Sequence, residues 1–523
     1  MINLIHNNGF KWYHDNYLWV KGYAYAGNVF KSGSILLKYL NEFLKTHKPD
    51  DLKNVNGIFS LIYQHKSVLY IYSDKSRFFP VFYRLTDQGY FISDDPEQLT
   101  NDKVQPDKSA YIEFKAAGIV TGNRTLYRNI FQVQAGELLQ LKENGIESKI
   151  LFSYKTTRKE IQTYDDSELE MYRYLNNAFE KSGNSLTGKT PVLPLSGGFD
   201  SRLIACKLKE LGFDNTICFT YGRQNKEVKV SETVAKKLGF KWHFIDYEKE
   251  FNNRNLLEET QFLNYFPLAS RAVSMFYLQE YLAVEKLKKN GMIPENSVFL
   301  PGHSGDLLGG SQFVKVFSSK IKPDNVAAGI LKTKFFLYPL KKQEKIEIKE
   351  SVKTQITEFD DYLGYSILED WDIKEKIAKF IINSSQVFVF FGYEVRFPFW
   401  DNELVEFFRT LSPLYKSGMK LYNNCLRSRY FNRYQLNFEK ELHPSNRQLK
   451  LQSLKNLIKS FLPGGYKKKL IFRSDWPYYS KMTETMFKEL NNDLKRVLPY
   501  ENYNSIIINW YLKEMFPEYL QDF

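Results

Sequence analysis

The segment Ser196-Gly197-Gly198-Phe199-Asp200-Ser201 and its flanks constrain this chain more than any other feature. The short apolar run Val192-Leu193-Pro194-Leu195 precedes it and reads as a strand. Arg202 to Leu211 follows as a helix, stopped by Gly212. The alternation then continues: strand at Thr216–Thr220, helix at Glu227–Leu238 stopped by Gly239, strand at Trp242–Ile245. Strand, helix and strand in succession predict a parallel sheet covered by helices. At such a strand-to-helix turn, glycines let the backbone come close to an anion. The exposed amides and the positive end of the helix dipole then favour a phosphate. Ser196 and Ser201 add hydroxyl donors. Asp200 repels phosphate, so its useful role there is to hold magnesium, which bridges to phosphate oxygens.

A second phosphate motif is misleading. Gly183-Asn184-Ser185-Leu186-Thr187-Gly188-Lys189-Thr190 matches the Walker A pattern in every letter. That loop requires a strand before it and a helix after it. Here a helix precedes, and a strand containing Pro191 and Pro194 follows. Both prolines oppose a helix beginning at Lys189. The segment reads as a plain helix-to-strand loop.

The 523 residues suffice for two or three domains. A charged fraction of 25% and an apolar fraction of 43% are ordinary for a globular chain. The formal charge of +13 is modest for this length and reads as a solvated surface, so no nucleic-acid partner is expected. Cys206, Cys218 and Cys425 show neither zinc spacing nor a disulfide framework, which suits a reducing cytoplasm. No leader pattern is visible at Met1–His6, and Val387–Trp400, the most apolar stretch, is too short to span a bilayer.

To about residue 150 the chain reads as β-rich. Gly57–Tyr63, Val68–Tyr72, Val81–Tyr83 and Tyr90–Ile92 are short β-favouring runs, and Ile35–Leu44 has helical periodicity. A polar stretch from Lys155 to Asp166 separates this part from the rest. Ser167 to Glu170 then has the pattern of a capping box, with Leu169, Tyr172, Leu175 and Phe179 on one face of the following helix. Beyond residue 255 the chain is mainly helical, with one further strand expected at Ser297–Leu300.

At this point the sequence resembles the asparagine synthetase family. Ser196–Ser201 looks like the pyrophosphatase loop of enzymes that adenylate a substrate and release pyrophosphate. Gly392-Tyr393-Glu394-Val395-Arg396-Phe397-Pro398-Phe399-Trp400-Asp401 is close to the family signature G-x-E-x-R-x-P-F-x-D. Gly302-His303-Ser304-Gly305-Asp306-Leu307-Leu308-Gly309-Gly310 resembles its second acidic loop, with His303 where the pattern has glutamate. Gly57–Ser60, Ser73–Arg77, Phe79–Tyr83 and Thr125–Gly136 follow the order of a class II glutamine amidotransferase domain. The resemblance implies an α/β (overall α+β) chain. Its parts would be an Ntn-amidotransferase-like β-rich sandwich over 1–155 and an adenine-nucleotide α-hydrolase-like synthetase over 165–523, with a parallel sheet and a helical C-terminal part.

It also implies a site and a reaction. Leu195, Ser196, Gly197, Gly198, Asp200, Ser201, Phe219, Thr220 and Gly302 would hold ATP, and Asp200 and Asp306 would hold Mg2+. Adenine would lie near Phe219, Thr220 and Tyr221. A small-molecule or peptide carboxylate would be adenylated, and ammonia or an amine would displace AMP. The family's glutaminase uses a cysteine at residue 2. Here that residue is Ile2, and no cysteine occurs before Cys206, so glutaminase activity is expected to be absent. A degenerate domain of this kind occurs in β-lactam synthetase and lasso-peptide cyclases, which use an amine on the substrate. The family's lysine four positions before the arginine of an L-R pair, here Leu426-Arg427, is replaced by Asn423. Lys420, one turn earlier, is the expected catalytic substitute, with Lys467-Lys468-Lys469 next in line. Two other readings stay open, a nucleotide-binding scaffold without catalysis and an RNA-modifying enzyme. A homodimer is also left open.

Overall fold

Period-two alternation in the first 150 residues builds two sheets that face each other. The computed structural model describes residues 1–101, 104–156, 163–251, 254–313, 322–356, 362–438, 475–493 and 502–517. The Lys467–Lys469 run lies outside the described residues. The strands are β1 (Ile2–Asn3), β2 (Tyr13–His14), β3 (Leu18–Ala26), β4 (Val29–Ser32), β5 (Asn56–His65) and β6 (Val68–Ser73). They continue with β7 (Phe82–Thr86), β8 (Gly89–Ser93), β9 (Phe131–Gln132), β10 (Glu137–Lys142) and β11 (Gly145–Ile150). The larger sheet runs β11-β10-β6-β5-β3-β2, with β4 also on β3, and the smaller runs β1-β8-β7-β9.

Strand β5 shows why its sequence is a nearly unbroken apolar run. Ile62 points into a core shared with Ile71, Val81, Tyr83 and Ile92, between the two sheets. Phe59 and Leu61 point the other way, onto Leu36, Leu40 and Leu44 of helix α1 (Gly33–Thr46). A strand covered on both faces has no side that needs to be polar. Helix α2 (Lys108–Ala117) leaves this sandwich and packs on the helix Tyr503–Met515, with Phe114 stacked on Tyr511 at 5.4 Å.

The second half is organised on β12 (Thr190–Pro194), β13 (Ile217–Gly222), β14 (Lys241–Asp246), β15 (Ser297–Phe299) and β16 (Glu394–Val395). Their order is β14-β13-β12-β15-β16, and every neighbouring pair is parallel. Helices α3 (Tyr164–Asn184), α4 (Phe199–Glu210) and α5 (Lys226–Leu238) match the expected positions closely. Strand β16 was missed by sequence reading, because two residues inside a helical region carry no period. The capping box expected at Ser167 is also corrected. Thr163 caps α3 by accepting from the Asp166 N–H at 3.2 Å, and Ser167 lies inside the helix. Leu169 is therefore exposed, and the buried face is Met171, Leu175, Ala178 and Phe179.

The two halves meet around the Gly392–Asp401 segment. Arg396 is 1% exposed. Its guanidinium donates to Glu394 Oε2 (2.6 Å), Ser185 Oγ (3.0 Å) and the Val395 carbonyl (3.0 Å). Tyr23 and Phe30 of the sandwich cover it at 4.8 and 4.7 Å. Nearby, Asp401 accepts from Asn56 Nδ2 (2.6 Å) and Lys181 Nζ (3.1 Å), and its other oxygen caps the helix Asn402–Thr410. Phe10, Phe78, Phe79 and Phe397 fill the seam with ring contacts of 4.9–6.5 Å.

A planar fork in an aromatic sleeve is not replaceable by an ammonium. Arg396→Lys is expected to cost about 3 kcal/mol, since it strands part of a buried ion pair. Lys189→Ala removes the half-exposed partner of the same Glu394 and is expected to cost under about 1 kcal/mol. Thermal unfolding of both variants checks this; an unchanged midpoint for Arg396→Lys would show that the seam does not depend on the guanidinium.

Candidate active site

In a parallel sheet the carboxyl ends of all strands lie along one edge, and ligands collect there. The residues after β12, β13 and β15 line a cavity of about 750 Å³ at that edge. Leu195, Ser196, Gly198, Asp200, Ser201, Phe219, Thr220, Gly302 and Asp306 all face it. Gly197 lies beside the wall rather than in it, its carbonyl taken by Arg202 at 2.7 Å. The false Walker segment sits at the opposite edge, where Lys189 enters β12 and pairs with Glu394 at 3.1 Å.

The Ser196–Ser201 turn is held by its own hydroxyls. Ser201 Oγ accepts from the Ser196 N–H at 3.2 Å and lies 3.0 Å from Ser196 Oγ. Ser196 Oγ in turn accepts from the Gly198 N–H at 3.2 Å. Gly198 is the N-cap of α4 and offers no side chain to the first turn. The amides there remain available to an anion.

Asp200 stands at the start of α4 and links the two loops. Its Oδ2 accepts from the Asp306 N–H and its Oδ1 from the Tyr422 hydroxyl, both at 2.8 Å. Burial, and then the charge of Asp306, push its carboxyl up to about 7. This close approach requires Gly305, where a Cβ would lie 2.7 Å from the Asp200 carboxyl carbon and 2.6 Å from the Tyr422 hydroxyl. Ser304, at φ 81°, turns the chain into the helix Gly305–Gly309. Trp400 donates to Ser304 Oγ at 3.2 Å, so the Gly392–Asp401 segment braces this loop directly.

Two carboxylates of which one is desolvated and repelled by the other suit a divalent cation completed by phosphate oxygens and water. Among the described residues no group of three such side chains occurs, so the protein would supply Asp200 and Asp306 only.

The remaining side chains divide between the cavity wall and its surroundings. Phe219 and Thr220 form the floor: Phe219 is fully buried, and Thr220 donates to the Leu195 carbonyl at 2.7 Å. His303 lines the wall beside Ser385 Oγ at 3.3 Å, and burial pushes its imidazole down to about 4, so it is neutral. Lys420 is outside the wall, exposed, with its ammonium 5.4 Å from the Tyr164 ring. From that helical segment Met419, Asn423 and Arg427 face the cavity, one per turn. The Arg427 guanidinium also stacks on Phe199 at 5.1 Å. The Leu426-Arg427 pair was the available signal for Arg427. Tyr422, Tyr277, Gln279, Glu280 and Trp476 had none, since tertiary packing alone brings them to the site.

Residues 189–434 match the family model described as asparagine synthase. Among curated proteins the chain is similar to the tRNA-specific 2-thiouridylase MnmA of Campylobacter lari, 30% identical over 110 residues, covering 18% of this chain and 32% of that protein. It is also similar to MnmA of Campylobacter jejuni subsp. jejuni, 26% identical over 178 residues, covering 31% and 49%. The chain thus spans about a third to a half of the length of these relatives. Among solved structures, NH3-dependent NAD synthetase from Campylobacter jejuni subsp. jejuni aligns at 15% identity over 37% of this chain and 95% of that one. The TM-score of that alignment is 0.19, too low to say anything about this chain. The asparagine synthase match, residues 189–434, spans the segment that carries both loops of the cavity.

Proposed function

We propose that this protein is an ATP-dependent, AMP-forming carbon–nitrogen ligase. The observation that carries the reading is the Asp200–Asp306 pair beside the uncapped start of α4, within one cavity. The amides of the Ser196–Ser201 turn and the serine hydroxyls would receive the phosphates of ATP. Asp200 and Asp306 would hold Mg2+, which when bound supplies charge neutralisation on those phosphates. Adenine would lie toward Leu195, Phe219, Thr220 and Gly302. A carboxylate oxygen of the substrate would attack the α-phosphorus. The bond from that phosphorus to the bridging oxygen breaks, and pyrophosphate leaves with the electron pair. An amine nitrogen would then attack the acyl carbon. The bond to the AMP oxygen breaks, and the nitrogen loses a proton.

The cation facing the developing charge would be Arg427 rather than Lys420. Arg427 is in the wall and is held on Phe199, whereas Lys420 is outside it. The nitrogen would come from free ammonia or a substrate amine. The three cysteines are buried at 206, 218 and 425, none of them in the sandwich, and the seam toward the cavity is filled by phenylalanine rings. Unpaired buried thiols fit a reducing compartment such as the cytoplasm. Among the described residues no helix is long and apolar enough to cross a membrane.

Asp200→Asn is expected to weaken Mg-ATP binding by roughly tenfold or more, as a charged metal ligand is lost. Lys189→Ala should leave it unchanged, and calorimetry reading the reverse order would overturn the loop assignment. Arg427→Ala is expected to lower the rate of pyrophosphate release by about a hundredfold, near 3 kcal/mol, with little change in ATP affinity. Lys420→Ala should release pyrophosphate at the normal rate. Glutamate release from glutamine should stay at background with or without ATP; a measurable glutaminase would refute the reading of the sandwich.

A further inference from the structure

The aromatic part of the cavity wall holds a buried acid. Glu280 lines the cavity and is 4% exposed. Its Oε2 has no hydrogen-bond partner among the described residues. No Lys or Arg among them pairs with it, and the Tyr221 side chain is the polar neighbour that favours its ionised form. The groups facing it come from several elements: Tyr221 on β13, Tyr247 in the turn after β14, Tyr265 on Thr260–Ser270, Tyr277 just upstream, and Tyr479 near the C-terminus. All five hydroxyls are pushed up by burial and stay neutral. Packing fixes this wall. Tyr221 stacks on Tyr247 at 5.6 Å and lies against Trp476 at 5.9 Å. Tyr277 donates to Gln279 Oε1 at 2.8 Å, and Tyr265 to the Tyr277 carbonyl at 2.6 Å.

A carboxyl buried in an aromatic wall with one oxygen unpartnered is costly unless something completes it. A carboxylate or phosphate would be repelled by the ionised carboxyl and would keep Glu280 in its protonated form. An ammonium would supply the missing donor and the opposite charge, and the ring faces of Tyr221, Tyr277 and Trp476 would attract it as well. We propose that Glu280 is the recognition residue of a primary-amine subsite, so that the molecule processed here carries an alkylammonium group. The inference rests on the ligase reading for what that amine belongs to: the molecule whose carboxylate is activated, or the one whose nitrogen is joined. Burial pushes the Glu280 carboxyl up to about 8, so in the empty protein it is mostly protonated at pH 7. Seating an ammonium beside it draws the proton off.

The test uses the full chain and n-butylamine, with 1-butanol as the uncharged counterpart. Calorimetry or saturation-transfer NMR should show butylamine binding in the millimolar range and no binding of butanol. Titration in two buffers of different ionisation enthalpy should show release of about one proton per amine at pH 7. This second measurement needs no variant. Glu280→Gln keeps the shape and should weaken butylamine by roughly tenfold or more and abolish proton release, with Mg-ATP affinity unchanged. Absence of butylamine binding, or equal binding by Glu280→Gln, overturns the subsite. Loss of Mg-ATP binding in Glu280→Gln also overturns it, by making Glu280 a nucleotide contact. If the wild type binds butylamine but not Mg-ATP, the ligase reading fails and the amine subsite stands.

Discussion

The buried guanidinium of Arg396 is the constraint on which the rest of this structure depends. A charge taken out of water is tolerated only when it is paired and its nitrogens are hydrogen-bonded. Arg396 meets that requirement by drawing on both halves of the chain: Glu394, Val395 and Ser185 from one, the rings of Tyr23 and Phe30 from the other. Satisfying it fixes β16 beside β15, since the Arg396 N–H donates to the Phe299 carbonyl at 2.9 Å. β15 then delivers Gly302, His303 and Asp306 to the strand-end edge. The Glu394–Asp401 segment is therefore structural in its chemistry, and it reaches the site through Trp400 and Ser304.

The site itself balances opposed demands. The start of α4 must present bare amides, so it cannot spend a side chain on capping. Asp200 sits in that first turn, where the helix dipole favours a negative charge, yet burial and Asp306 oppose one. Gly305 allows the carboxyl to be pinned by a backbone N–H at the cavity wall. A divalent cation seated beside such a carboxyl would favour its ionised form.

The sequence made some of this legible and hid the rest for physical reasons. The alternation from Val192 to Ile245 is local, and β12, α4, β13, α5 and β14 appear where it put them. The Ser196–Ser201 turn was readable because its chemistry lies in six consecutive residues. The capping box at Ser167 failed because Thr163, four residues earlier, had equal chemistry and a longer helix to start. Lys420 is the nearest lysine by helical spacing to Asn423, the position where the resembled family has its own. Spacing gives the neighbours on a helix but not which face meets the cavity, and the face that does so carries Met419, Asn423 and Arg427. Glu280 and Tyr422 were invisible because nothing near either of them in the chain explains their burial. The Walker-like match at Gly183–Thr190 shows the complement: letters without a strand-to-helix direction end up at the wrong edge of the sheet.

The seam also explains why a sandwich without a thiol is not a dispensable appendage. Phe10, Phe78 and Phe79 cover Phe397, and Tyr23 accepts from the Phe397 N–H at 3.2 Å. Asn56 holds Asp401, and Lys75 donates to Asn402. Without those partners the Arg396 charge would face a void or water on its aromatic side, and β16 would lose its reason to lie against β15. β15, which carries the second acidic loop, would then lose its neighbour on that side and be held by β12 alone. A lobe without a cysteine can thus be necessary for structure alone, because the neighbouring site is assembled against its surface and not merely beside it.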